Sequence, residues 1–217
     1  MLSPNQKEIS RGKNGIVYYK PLNCKDNTQP KGDYVSKLMT RKKAIEEYSQ
    51  SDKIRATIPT GAVYSEYMCD SSYVRGNKDT LIFSKFGGYP LVAYWTYLDE
   101  YTKDTEIKFE PSYWNKVMKG LYILKDEIVE MNNKGLYHND INLENILYNQ
   151  DTGKMLLIDF AEATNTPPER KYRNGSPFTD VTTIDSIIDD FISFKERAKK
   201  VDAVAGGRRK RKTRKNR

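Results

Sequence analysis

The chain has 217 residues, enough for one domain with a real core or for two small lobes, and is 37% hydrophobic and 30% charged. Its apolar runs are short, such as Met155 to Ile158, which argues against a membrane span, and the polar start MLSPNQKEIS does not read as a secretory signal. The net charge of +8 is uneven: Gly206 to Arg217, GGRRKRKTRKNR, holds eight Lys or Arg and no acid, and without them 29 basic residues face 29 acidic ones, so attraction to polyanions belongs mainly to the tail.

The first part predicts strands at GIVYYKPL and DYVSKLM, separated by the turn-prone NCKDNTQPKG. RKKAIEEYSQSDKIRATI predicts a helix stopped by Pro59 and Gly61. AVYSEYMC and TLIFSKF are two further strands around VRGNKD, and GGYPL is a natural break. Pro111-Ser112 opens a long helix on which Trp114, Val117, Met118, Leu121, Leu124, Ile128 and Met131 recur at helical spacing, stopped by Asn133-Lys134-Gly135. Short strands follow at LYH, NILYN and MLLIDF, with QDTG as a hairpin turn. Thr164 to Ser176 is a loop, VTTIDSIIDDFISFKERAKK a last amphipathic helix, and Val201 to Gly207 a small-residue linker. Cys24 and Cys69 match no metal spacing, so two free thiols in a reducing compartment are expected.

The chemistry concentrates in YHNDINLENILYNQDTGKMLLIDF, Tyr137 to Phe160. A sharp loop with Asp140 and Asn145, followed by a hairpin and Asp159 at a strand end, would gather oxygen atoms suited to Mg²⁺ beside a carboxylate able to accept a hydroxyl proton. The order HNDINLEN then DFA resembles the H-x-D-x-x-x-x-N and D-F-G segments of the protein kinase-like superfamily. The resemblance implies an α+β, bilobal protein kinase-like fold, with a small β-rich N-lobe at 1–86, a shortened helical C-lobe at 87–200 and a disordered basic tail at 201–217. It implies Asp140 as the catalytic aspartate, Asn145 and Asp159 as metal ligands, and His138 as the histidine packed beneath the loop.

Carried into the first part, the resemblance implies ATP as cofactor beside Mg²⁺. ISRGKNGIVYY is similar to the glycine-rich loop, with Ser10 in place of its first glycine, then Gly12, Gly15 and Val17. Lys37 in YVSKLM stands for the phosphate-binding strand lysine, with Val35 in the adenine slot. Its helix carboxylate is Glu47 or Glu46. LIFSKFGG is similar to the family's strand and hinge, with Phe83 behind the adenine and Ser84 to Phe86 offering backbone groups to the base. Leu147 and Ile158 form the pocket floor.

The pattern also departs. The arginine of H-R-D is Asn139, which argues against control by a phosphorylated loop; the usual serine/threonine-kinase lysine is Asn142; the glycine of D-F-G is Ala161; no A-P-E closes the segment, and only one helix follows. A compact chain with such a tail is also similar to small kinase-like proteins of large eukaryotic DNA viruses. The resemblance implies a phosphotransferase moving the γ-phosphate of ATP to a hydroxyl of a protein substrate, and the polar start with two expected free thiols points to an intracellular, cytoplasmic or nuclear place. A small-molecule kinase on the same fold and a pseudokinase-like binding protein remain open as alternatives. Arg208 to Arg217 is expected to hold nucleic acid or an anionic surface.

Overall fold

The computed structural model describes residues 6–96, 111–168 and 179–214, with the side chains of the last helix described as far as Arg197. Among them the protein is α+β, with a mostly antiparallel β-sheet and four α-helices. No described helix is long and apolar enough to cross a membrane. The chain divides into two compact units: Met1–Gly87 with Leu156–Ala163, and Gly88–Met155 with Thr164–Arg217.

The first unit holds β1 (Lys7–Gly12), β2 (Gly15–Tyr19), β3 (Tyr34–Met39), helix α1 (Arg41–Thr57), β4 (Ser65–Arg75) and β5 (Lys78–Lys85), with strand order β1-β2-β3-β5-β4. Every pairing is antiparallel. Side chains alternate along a strand, so one face of the sheet gathers Ile16, Tyr18, Leu38, Leu81 and Phe83 into a core with Leu22 and Cys24. The opposite face buries Met39 and Ile82 with Ala44 of α1. α1 follows β3 after one residue, Thr40, and ends before Pro59, which disfavours helical backbone at Ile58. Its inward stripe runs Ala44, Ser51, Ile54, seven and three residues apart, two turns and then one.

Two corrections belong to this unit. The thiols expected to be free are joined: Cys24 and Cys69 form a disulfide across 45 residues of sequence. β4 is longer than predicted, and its far half bonds the segment before β3, through Lys25 N–H to the Asp70 carbonyl (2.9 Å) and Ser72 N–H to the Asn23 carbonyl (3.0 Å). That pairing brings the two cysteines together, and cysteine usage no longer favours a reducing compartment. Residues 156–163, assigned by sequence to the second part, belong to the first unit. Leu157 N–H donates to the Gly61 carbonyl (2.8 Å) and Val63 N–H to the Leu157 carbonyl (3.0 Å).

The second unit holds β6 (Tyr89–Pro90), a short helix α2 (residues 91–96), α3 (Pro111–Asn133), β7 (Ile146–Tyr148), the start of β8 (Met155–Leu157) and α4 (Asp180–Arg214). Of the predicted stripe of α3, Trp114, Val117, Leu121, Leu124, Ile128 and Met131 are buried and Met118 is half-buried. Phe191 and Phe194 of α4 lie against Trp114, with centroids 5.7 and 5.8 Å away, and Ile184, Ile187 and Ile188 are buried beside them in sequence. Each such side chain contributes roughly 1.5–3 kcal/mol of apolar burial. Gly88, at φ +122°, lies so close to the Tyr148 carbonyl that a Cβ would sit 2.3 Å from its oxygen.

Predicted strands shrink here. LYH makes only one bridge, Tyr137 with Thr164. MLLIDF stops at Leu157 and turns into a 3-10 segment, Phe160–Glu162. Part of the predicted 164–176 loop lies outside the described residues. α4 continues to Arg214, where sequence predicts a linker and a disordered tail from 201. Ala, Lys and Arg are strong helix formers and carry the backbone through, although Gly206 and Gly207 each cost about 1 kcal/mol.

Candidate active site

In the first unit, strand register sets out the candidate residues. Ser10 opposes Val17, Val17 opposes Lys37, and Lys37 opposes Ile82, so these four form one cross-strand row. Val35, two residues from Lys37, shares its face and opposes Ser84. Val17 and Val35 are half-buried there. Phe83 is a correction: it opposes Ser36 and is buried in the core on the other face. Ile82, opposite Lys37, lies on the Lys37 face instead, because one step along a strand reverses the side chain. Phe86 packs on Tyr19, with centroids 5.1 Å apart.

Lys37 Nζ donates to Glu47 Oε2 at 2.7 Å, with the two side chains 17% and 30% exposed. Glu47 lies between Ala44 and Ser51 on the inward stripe of α1, while Glu46 faces solvent. The ten-residue separation suffices because α1 starts directly after β3. Gly12 and Gly15 face each other across the Lys13-Asn14 turn. A Cβ on Gly15 would lie 2.9 Å from the Leu38 carbonyl oxygen and 3.0 Å from Lys37 Cγ, so this glycine lets β2 approach the lysine strand. Nothing lies within 4 Å of a Cβ built on Gly12. Lys43 of α1, not singled out by sequence, donates to Asn14 Oδ1 (2.9 Å) and the Lys13 carbonyl (3.2 Å), which ties the turn to the helix.

Asp159 is in the first unit, immediately before the 3-10 turn, with φ 59° and ψ 66°. Left-handed backbone is best tolerated by Gly, Asn and Asp. Its Oδ1 is buried and has no hydrogen-bond partner among the described residues. Ala161, inside the turn, needs no positive φ.

Asp140 and Asn145 are in the second unit. Asn145 Nδ2 donates to Asp140 Oδ2 and to the Asp140 carbonyl, both at 2.9 Å, and Asn142 Nδ2 donates to Asp140 Oδ1 at 3.2 Å. The aspartate is exposed and held in one orientation. His138 is fully buried, and its Nδ1 accepts from Asp140 N–H at 3.3 Å. Beneath the loop lies Asp180, only 2% exposed, whose carboxylate accepts from His138 N–H (2.6 Å) and Asn139 N–H (2.9 Å). Leu147, half-buried, opposes Pro90. The Tyr148 phenol is pushed up to about 12 by burial and then by Tyr113, so it is a neutral aromatic support at ordinary pH.

No family model matches the chain, and no curated protein matches it.

The described residues hold no group of three or more His, Cys, Asp or Glu that could bind a metal by itself. Asp and Asn oxygens suit a hard cation that relies on phosphate and water for its other ligands, as Mg²⁺ does; Asp159 lies in the first unit and Asn145 in the second. Asp159 supplies a buried oxygen without a donor. Asn145, with its Nδ2 committed to Asp140, leaves its oxygen as the ligand atom.

Sequence reasoning missed Asp180, Ile82 and Lys43. An Asp at the start of a long helix was the only available signal for Asp180. Its partners are backbone amides more than 40 residues earlier.

Proposed function

We propose that the protein is an ATP- and Mg²⁺-dependent phosphotransferase of kinase-like bilobal fold that moves the γ-phosphate of ATP to a protein hydroxyl. The Lys37–Glu47 ion pair carries this reading. A cation fixed mid-strand by a carboxylate, beside the open Gly12 turn and the half-buried Val17 and Val35, is suited to nucleotide phosphates and an adenine ring. A lysine serving only the surface would need neither the close approach of Gly15 nor a helix carboxylate.

In this mechanism Lys37 would hold the α- and β-phosphates of ATP. Asp140, aimed by Asn142 and Asn145, orients the acceptor hydroxyl and takes its proton. Asp159 and Asn145 would hold Mg²⁺, which when bound neutralises charge on the phosphoryl oxygens. Asp180 fixes the loop from below by accepting its amides.

The test is phosphate transfer from labelled ATP to a generic protein and to a metabolite panel, with ADP release measured alongside. Asp140→Asn should lose on the order of 10²–10⁴ of the rate while still binding Mg-ATP. Full activity in that variant contradicts the mechanism, and transfer to metabolites alone moves the substrate class to small molecules.

A further inference from the structure

We infer that Asn139 and Thr164 form a phosphate-independent clasp that positions Asp140 for turnover, an inference that rests on the phosphotransferase reading. Tyr137 and Thr164 exchange two backbone hydrogen bonds, N–H to carbonyl each way at 2.9 Å. One step further, Asn139 Nδ2 donates to Thr164 Oγ1 at 2.8 Å. The segment after Asp159 is thereby stitched to the segment entering the Asp140 loop by three hydrogen bonds.

The chemistry of the pair is neutral throughout. Thr164 Oγ1 accepts from Asn139 and donates to the Thr166 carbonyl at 2.7 Å, so the hydroxyl is used in both senses. Asn139 has φ 63°, a left-handed conformation that asparagine adopts more readily than most residues. Its backbone N–H is held by Asp180 and its side chain by Thr164, so it is fixed from two directions. Asp140 is the next residue, and any rotation at 139 swings its carboxylate. A loop ordered by phosphate needs a cation to receive it. The residue entering this loop is an uncharged amide whose partner is an unmodified hydroxyl. Asn139 and Thr164 therefore act as positioning residues, with the clasp closed in the unmodified chain.

The test compares full-length wild type with Thr164→Val, which keeps shape and removes the hydroxyl, Thr164→Ser, which restores it, and Asn139→Gly, which keeps the left-handed backbone and removes the amide. Two readouts are used: steady-state kinetics with ATP, and hydrogen exchange without nucleotide. Thr164→Val and Asn139→Gly should lower kcat on the order of 10- to 100-fold with the KM for ATP held within about two-fold. Exchange in the 136–142 peptide should accelerate about ten-fold while that of α3 stays fixed. Thr164→Ser should restore both. Unchanged exchange in Thr164→Val overturns the clasp, and faster exchange with a wild-type kcat overturns its role in turnover. If wild type transfers phosphate to no acceptor, the phosphotransferase reading and the turnover role fall together, and exchange alone decides whether the clasp exists.

Discussion

Reducing the Cys24–Cys69 disulfide should destabilise the first unit by about 4 kcal/mol. The bond closes a loop of 45 residues, and the chain-entropy relation gives ~13 cal/mol/K for that length, hence ~4 kcal/mol at 25 °C. The effect should sit almost wholly in the unfolded chain. On the native side, Lys25 and Ser72 keep their backbone bonds to Asp70 and Asn23, and Leu22 N–H keeps Ser36 Oγ at 2.8 Å. Both tryptophans, Trp95 and Trp114, are in the second unit, so indole fluorescence reports the wrong part. Urea titration of oxidised protein and of reduced, alkylated protein, followed by pulsed hydrogen exchange on β2–β5 peptides, isolates the first unit. A loss below about 1 kcal/mol would refute the loop-closure reasoning. Two titratable thiols in native, unreduced protein would show that the bond is not there.

Glu47→Gln should weaken Mg-ATP binding severalfold while Glu46→Gln leaves it unchanged, and calorimetry separates the two. The stability cost of Glu47→Gln should stay below about 1 kcal/mol because the ion pair is partly exposed. Asp180→Asn replaces an acceptor facing two amides with a group that carries its own donors, and thermal unfolding should register a loss of about 2–3 kcal/mol. Lys125 and Asp185 pair at 2.6 Å between α3 and α4, and the hydrogen bond that the Lys125 ammonium donates to Asp185 raises its pKa above the ordinary value. The pair's contribution is therefore full below the unfolded lysine value of ~10.4 and lost as pH rises through the folded one. The stability gap to Lys125→Met should be below about 1 kcal/mol, constant from pH 6 to 9, and vanish in strong alkali.

What sequence reveals is what local periodicity controls. Lys37 is legible because Val35 and Leu38 frame it in a strand, and α3 because its apolar residues recur each turn. Glu47 could not be separated from Glu46 without knowing which face of α1 turns inward, and Ala44, Ser51 and Ile54 decide that. Phe83 is misassigned for a related reason: composition gives the strand, but only its register against β3 gives the parity, and parity selects Ile82. The disulfide is hidden because it depends on β4 running past Asp70 to meet the segment before β3. Asp180 is hidden because its partners are main-chain amides, which carry no side-chain signature.

Mg²⁺-dependent nucleotide binding through Asp159 can be measured by titration calorimetry of ATP into wild type and Asp159→Asn, with and without Mg²⁺. Asparagine keeps the left-handed backbone and relieves a buried carboxylate oxygen that lacks a donor, so the variant without nucleotide should melt at or above the wild-type temperature. Wild type should bind ATP with Mg²⁺ at least about ten-fold more tightly than without, a difference of ~1.4 kcal/mol, and Asp159→Asn should lose that gain. Equal Mg²⁺ dependence in the two proteins, or none in wild type, contradicts the account.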